Sequence, residues 1–264
     1  MFFTGKIIWI TGASSGIGEA LAYAFAKENA QLIISSNNVL ELEKVGAKCI
    51  ELTTCCEIVP LDLEHPESIN EAFSKVMSKF TKIDILINNG GISQRTLIQD
   101  TSMEIFRKIM EINLFGAVIL TKLVLPVMIA NGGGHIVATS SISGKFGFPL
   151  RSAYAASKHA LHGFFETVRL ENITKNINVT IVCPGRVRTN ISYNALSADG
   201  KPHGKMDDGQ NEGISPEKCA SQILKAIRKN KKEVLIGGKE LLMVYFKRFA
   251  PFIFNKIVTK IKSS

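Results

Sequence analysis

Short, continuous apolar runs alternate with longer segments of helical period almost from end to end of this chain. Ile7–Ile10, Leu32–Ile34, Ile58–Leu61, Ile83–Ile87, Ile136–Thr139, Val179–Val182 and Glu233–Ile236 read as strands. Helical spacing falls between them, through Leu21, Ala22, Phe25 and Ala26 and then over 39–45, 66–80, 102–130, 152–173 and 216–229. A strand that is apolar at every position is covered on both faces, the setting of a parallel sheet. The βαβ rhythm therefore predicts an α/β fold, a doubly wound parallel sheet with helices on both sides. No linker and no internal repeat interrupts residues 1–238, which read as a single domain followed by a basic, aromatic-rich extension at 239–264.

Charge and cysteines bound the function classes. The net charge is +9, and the extension carries Lys239, Lys247, Arg248, Lys256, Lys260 and Lys262 against Glu240 alone. The excess is thus concentrated at one end and no nucleic-acid motif accompanies it, so nucleic acid is not an expected partner. Five cysteines, with Cys55 and Cys56 adjacent, show no metal-ligand spacing and form no disulfide framework. A reduced, cytoplasmic protein without a metal is expected. The opening Met-Phe-Phe-Thr-Gly-Lys is too short an apolar stretch for a signal peptide. Segment 114–130 is apolar but interrupted by Thr121, Lys122 and Pro126, and reads as a core or subunit-contact helix too short to span a membrane.

The first strand runs into Thr11-Gly12-Ala13-Ser14-Ser15-Gly16-Ile17-Gly18, where a helix begins. Glycines permit a tight turn and close approach of backbone to a pyrophosphate, which then faces the free N–H groups of the helix. After strand one of a βαβ chain, this spacing predicts a dinucleotide site. Asp62 follows the third strand, where its carboxylate can accept from an adenine amino group or simply cap the next helix. Asn88-Asn89-Gly90-Gly91 ends the fourth strand; asparagine can tie loop backbone together there and glycine leaves room for a cofactor.

Tyr154 and Lys158 are four apart on a predicted helix, so their side chains share one face. An ammonium beside a phenol favours the phenolate and is expected to lower the tyrosine pKa, making it an acid or base for an alcohol oxygen. Ser141 ends the strand at 136–139, thirteen residues before Tyr154; Ser140 and Ser143 are alternatives to it. Asn113 stands inside a predicted helix, where asparagine is a mediocre choice.

These motifs, TGxxxGxG, Asp62-Leu63, Asn-Asn-x-Gly, Asn113, Ser141, Tyr154-x-x-x-Lys158 and Pro184-Gly185, resemble in order and spacing those of the short-chain dehydrogenase/reductase family over residues 5–238. The resemblance implies a Rossmann fold, a nicotinamide cofactor and oxidoreductase chemistry on a carbonyl or secondary alcohol. It also implies roles. Ser141 holds the substrate oxygen, Tyr154 exchanges its proton, Lys158 also binds the nicotinamide ribose, and Asn113 holds a water that reaches Lys158. Cofactor contacts fall on Gly12, Ser14, Ser15, Gly16, Ile17 and Gly18 in the turn, and on Leu63, Asn89 and Gly90. Pro184, Gly185, Val187 and Thr189 follow the sixth strand, Thr189 at the carboxamide position. Gly90 replaces the family's usual alanine, which only removes a methyl. Family members are commonly dimers or tetramers, so a homodimer or homotetramer is implied.

The second strand ends Ser35-Ser36-Asn37-Asn38. No acidic residue is there to bind a ribose 2′-hydroxyl and repel a 2′-phosphate. Ser36 and Asn37 can hydrogen-bond a phosphate without charge, so NADP(H) is favoured over NAD(H). Residues 190–214 are polar and glycine-rich and read as a substrate lid. Residues 241–262 mix aromatic, aliphatic and basic groups around Pro251, which suits packing over the pocket or on a second subunit, or peripheral contact with an anionic membrane. The expected substrate is a small or lipid-like carbonyl compound. The alternatives are a 3-oxoacyl reductase acting on acyl thioesters and a catalytically silent dinucleotide sensor.

Overall fold

A computed structural model describes residues 1–258; Lys260, Lys262 and the rest of 259–264 lie outside the described residues. Seven parallel strands form one sheet in the order β3-β2-β1-β4-β5-β6-β7. They are β1 Ile7–Thr11, β2 Gln31–Ser35, β3 Cys56–Ile58, β4 Ile85–Asn88, β5 Gly134–Thr139, β6 Ile177–Pro184 and β7 Glu233–Ile236. The intervening helices are α1 Gly16–Ala26, α2 Val39–Ile50, α3 Pro66–Lys79, α4 Met103–Met110, α5 Gly116–Ala130, α6 Ser152–Glu171, α7 Asp208–Asn211 and α8 Pro216–Arg228, with α9 Leu242–Phe249 and α10 Pro251–Val258 in the extension.

The apolar strands are buried on both faces as their composition requires. On one side Ile8, Ile10, Leu32 and Ile34 pack with Leu21 and Phe25 of α1, Leu42 of α2 and Ile223 of α8. On the other, Trp9, Ile33, Leu86 and Ile136 pack with Val76 of α3, Leu120 and Val124 of α5, and Leu161 and Phe165 of α6. Trp9 keeps its indole N–H satisfied within this core by donating to Ser35 Oγ at 2.9 Å. Strand order reverses between β1 and β4, whose carboxyl ends therefore diverge into a crevice.

The fifth and sixth strands are longer than read from sequence, Gly134–Thr139 and Ile177–Pro184, and three further elements differ. The third strand is Cys56–Ile58 rather than 58–61. Val59 and Leu61 still donate to Ile34 and Ser36, at 3.0 and 3.1 Å, with Pro60 between them at the sheet edge, where its missing N–H faces away from β2. The fourth strand begins at Ile85, two residues late, because Asp84 turns its carboxylate back to accept from Ile7 N at 2.8 Å. The helix expected over 102–130 is α4, a π-helical turn at Glu111–Phe115, and α5. Together these make a helical rod of 28 residues, Met103–Ala130, with a mean hydropathy of 2.1 in its most apolar window. The rod is therefore long and apolar enough to cross a membrane by length and composition, unlike the shorter segment read from sequence. Nearly half of that window is buried in the protein, where Ala117, Leu120, Val124 and Met128 join the core.

His135, at the start of β5, is buried and hydrogen-bonded to Thr180 Oγ1 at 2.8 Å. Thr180 donates its own proton to the Lys231 carbonyl at 2.6 Å, so the ring must donate to the threonine as a neutral tautomer. Burial lowers the His135 pKa from 6.5 to about 4. The unfolded chain then binds more protons below pH 6.5, and stability falls as pH drops from 6.5 toward 4. Urea midpoints at pH 5 and pH 7 should differ less in His135→Gln than in the wild type; equal differences would remove His135 from the account.

Candidate active site

The glycine turn between β1 and α1 is shaped by contacts that exclude side chains. Gly12 and Gly16 have φ of +63° and +58°, the region that favours glycine. A Cβ on Gly12 would sit 2.6 Å from Gly90 Cα, and one on Gly18 would overlap the Gly12 carbonyl oxygen. Helix α1 can thus approach β1 closely, with its N-terminal N–H groups facing the crevice. Asn89 Nδ2 donates to the Thr11 and Gly12 carbonyls at 3.1 and 3.3 Å, while the N–H groups of Asn89 and Gly90 both donate to Thr11 Oγ1 at 3.0 Å. The ends of β1 and β4 are thereby held together. Where the missing Gly90 methyl would point, 2.5 Å away, stands Leu63 Cδ1. Thr189 leans on the same turn, its Cγ2 2.9 Å from where a Gly16 Cβ would lie.

Further along the crevice, Ser14 and Ser36 share a hydrogen bond of 2.8 Å between hydroxyls. Asn38 caps α2 by accepting from Glu41 N and Asn37 is exposed, and both border the cavity. Asp62 uses Oδ1 to accept from Glu64 N at 2.9 Å, so it braces its own loop while still lining the crevice.

The second half of the site lies where β5 and α6 meet. Ser141, Tyr154 and Lys158 are 7%, 9% and 4% exposed and line one cavity of about 490 Å³ with the glycine turn. Lys158 Nζ donates to the Thr139 carbonyl at 2.8 Å and lies 5.6 Å from the Tyr154 ring centroid. Ser141 Oγ accepts from Ser143 N at 3.1 Å and donates to the Pro184 carbonyl at 3.4 Å, and its hydroxyl acts on the Tyr154 phenol to favour ionisation. Asn113, in the π turn, accepts from Ile92 N at 2.8 Å and donates to the Ile92 carbonyl and to Ser157 Oγ, at 2.9 and 3.0 Å. Gly91 separates Asn113 from Lys158: a Cβ there would stand 2.9 Å from Asn113 Oδ1 and 3.5 Å from Lys158 Nζ. A π turn inside an α-helix commonly marks a functional position.

Burial outweighs the charge effect expected from the Tyr154/Lys158 spacing. Desolvation raises the Tyr154 pKa, and Ser141, Arg151 and Arg95 only partly offset it. Desolvation also lowers Lys158 to about 8, so its ammonium is weakened as a source of charge. The cations acting on the phenol are two arginines that the sequence reading passed over.

Those arginines hold the 190–214 segment. Arg95 grips both oxygens of Asp207, with Nη2 at 2.5 Å from Oδ2, and Arg151 Nη2 approaches the same oxygen to 2.7 Å. Arg95 and Asp207 are buried, and burial opposes the Asp207 charge, but Arg95 and Arg151 still hold its carboxyl below the ordinary value. The segment is also pinned through Leu196, whose N–H and carbonyl pair with Ser93 and Arg95 at 2.9 and 2.8 Å. Glu240, the acid of the extension, caps the loop after β6 by accepting from Arg186 N and Gly238 N, at 2.8 and 3.0 Å. Pro184, Gly185, Val187 and Thr189 in that loop all border the cavity. No signal in the sequence marked Gln94, Arg95, Arg151, Asp207 or Glu240, since long-range partners make them what they are.

The extension packs over the cavity mouth. Met243 and Phe254 bury against Phe146, the two phenyl centroids 5.2 Å apart, and Met243, Phe148 and Ile142 form an apolar wall. The opposite face of α9 and α10 shows Phe249 and Phe252 at 78% and 75% exposure. Behind the site, His162, Cys183 and Glu233 come close enough together to suggest metal ligands. Cys183 faces His162 Nε2 whereas Lys145 and Glu233 face Nδ1, and the Lys145 ammonium already bridges ring and carboxylate at 3.3 and 2.5 Å.

Residues 6–199 match the family model for short chain dehydrogenases, so the chain belongs to that family. It is similar to "Dehydrogenase/reductase SDR family protein 7-like" of Drosophila melanogaster, 40% identical over 97% of this chain and 80% of that protein. It is also similar to "Dehydrogenase/reductase SDR family member 7B" of Bos taurus, 41% identical over 97% of this chain and 81% of the relative. The fold is shared with a short chain dehydrogenase/reductase from Burkholderia phymatum in complex with NAD, at a TM-score of 0.83, 21% identity and 96% coverage of both chains. An alcohol dehydrogenase from the archaeon Thermococcus sibiricus, complexed with 5-hydroxy-NADP, matches at a TM-score of 0.76 and 26% identity, over 89% of this chain and 97% of that one. The chain is an NAD(P)-dependent oxidoreductase of Rossmann fold.

Proposed function

We propose that the protein interconverts a lipid-like or small carbonyl compound and its secondary alcohol, with Tyr154 as the proton-exchanging group and NADP(H) as the preferred cofactor. The convergence of Ser141, Tyr154 and Lys158 on the cavity that also holds the glycine turn carries this reading. The site suits a dinucleotide. The Gly12 and Gly16 positions admit no Cβ, and the buried Thr139 hydroxyl beside Lys158 has no hydrogen-bond partner among the described residues. The turn from Gly12 to Gly18 with Ser14, Ser15 and Ile17 would hold the pyrophosphate, Asp62, Leu63, Asn89 and Gly90 the adenosine half, and Lys158, Pro184, Gly185, Val187 and Thr189 the nicotinamide half. When bound, the cofactor supplies or accepts the hydride.

The chain's own residues do the rest. Ser141 orients the substrate oxygen toward Tyr154, and a hydroxyl pair of this kind stabilises charge that develops there. Tyr154 gives its proton to that oxygen in reduction and takes it back in oxidation. Ser141 and the arginines Arg151 and Arg95 oppose the burial that would otherwise keep the phenol from ionising. Asn113 fixes Ile92 and Ser157 beside Lys158 on a proton route to solvent. The Ile142, Phe148 and Met243 wall favours a substrate with an apolar chain.

The preference for NADP(H) rests on Ser36 and Asn37, with no carboxylate at the end of β2. Assayed against ketones, aldehydes and 3-oxoacyl thioesters, kcat/KM should be higher with NADPH than with NADH; a clear NADH preference contradicts the assignment. The exposed Phe249 and Phe252, next to Lys247 and Arg248, support peripheral contact of a homo-oligomeric enzyme with an anionic membrane. Co-sedimentation with vesicles that contain phosphatidylserine should be lost on deleting 241–264. No binding by the intact chain would remove the membrane part alone.

A further inference from the structure

Helix α6 carries Tyr154 in its first turn but begins without a cap of its own. Its N-cap residue Arg151 makes no capping hydrogen bond, and its guanidinium reaches Asp207 instead. The first helical bond runs from Ala155 N–H to the Arg151 carbonyl at 2.7 Å, so the N–H groups before it need outside partners. One atom from 59 residues away supplies two of them. Gln94 Oε1 accepts from Ala153 N at 2.8 Å and from Tyr154 N at 3.2 Å. These are the second and third helical residues, the donors that an N-cap side chain ordinarily serves.

The amide is fixed at its other end too. Gln94 Nε2 donates to Ser152 Oγ at 3.2 Å and to Thr101 Oγ1 at 3.3 Å, and the residue is 0% exposed. Next in the chain, Thr96 N donates to the carbonyl of Leu150 at 3.2 Å. Leu150 has φ of +62°, strained for a leucine and held just ahead of the catalytic helix. Residues 94–96 therefore anchor both the approach to α6 and its first turn. The acceptor is a neutral amide. A carboxylate at this helix end would cap equally well but would oppose ionisation of the phenol.

We propose that Gln94 is a positioning residue for Tyr154, capping α6 from outside and setting the orientation of the phenol without adding charge beside it. The inference rests on Tyr154 as the proton-exchanging group. The experiment uses Gln94→Ala and Gln94→Glu, each with and without Tyr154→Phe. Tyr154 ionisation is read by ultraviolet difference titration between each pair, and kcat and KM are read with NADPH and the carbonyl compound of the panel above that is reduced fastest. Gln94→Glu keeps the acceptor, should fold normally, and should lower the ionisation constant of Tyr154 by about threefold or more. Gln94→Ala should lower kcat by about 10- to 100-fold, as small displacements of a reacting group do, with KM for NADPH unchanged. A role in stability alone would lower the melting temperature and leave the titration and kcat in place; that result overturns the proposal. Should Gln94→Ala not fold, Gln94→Glu decides by itself: a Tyr154 shift accompanied by a matching shift in the pH profile of kcat supports the proposal, and an unchanged titration or an unchanged kcat profile refutes it. Retained turnover in Tyr154→Phe would instead defeat the role given to Tyr154, a separate failure, with the titration still reporting on Gln94.

Discussion

Tyr154→Phe is expected to lower kcat by about 10²- to 10⁴-fold, the range that a positioned proton-transfer group contributes, while dinucleotide affinity stays nearly unchanged. The asymmetry follows from the site. Tyr154 and Ser141 border the cavity where β5 and α6 meet, whereas the glycine turn that would admit the pyrophosphate lies at the ends of β1 and β4. Removing one oxygen leaves the ring packed and the backbone of α6 in place. Dinucleotide binding measured by fluorescence, together with steady-state kinetics, separates the two effects. A mutant that turns over normally would take the proton-exchanging role away from Tyr154, and one that loses cofactor and turnover together would indicate a structural role.

Gly12→Ala should abolish dinucleotide binding. Its φ of +63° costs an alanine about 1–2 kcal/mol, and its Cβ would meet Gly90 Cα at 2.6 Å, backbone that no rotamer change can move aside. Relief requires separating the ends of β1 and β4, which Thr11 and Asn89 now tie together. The crevice itself would be remodelled, and kcat/KM should fall with affinity rather than with the chemical step. Gly90→Ala is the informative contrast. There the added methyl meets the flexible end of Leu63, so a modest loss is expected. Equal damage from both substitutions would show that the close approach of Gly12 to Gly90 is not what shapes the turn.

Much of the fold was legible because strands buried on both faces must be apolar throughout, and the runs around Trp9, Ile33 and Ile136 meet that condition. Boundaries were less so. The third strand stops at Ile58 although its apolar run continues to Leu61, and Asp84 delays a strand whose apolar run begins at Ile83. The π turn around Asn113 leaves no trace in a helical period. The residues at the center of the site were visible through local spacing, but their electrostatics were not. From sequence, Lys158 is an ammonium one turn from a phenol; in the fold it is buried, turned toward the Thr139 carbonyl, and lowered to about 8. Arg95 and Asp207 lie 112 residues apart, and charged residues in polar segments ordinarily face solvent, so their buried pairing is a property of the tertiary structure alone. Gln94 belongs to the same class, an unremarkable side chain until α6 is found to begin against it.

Nicotinamide-dependent reduction of carbonyl compounds is measured by following NADPH absorbance with the purified chain and a panel of ketones, aldehydes and 3-oxoacyl thioesters, and by assaying the alcohol formed. NADPH oxidation should be matched mole for mole by an alcohol product for at least one apolar carbonyl compound, and should be at least about 100-fold slower with Tyr154→Phe. Tight NADPH binding without oxidation by any member of the panel would contradict it, and would make the chain a dinucleotide sensor that keeps the fold without the chemistry.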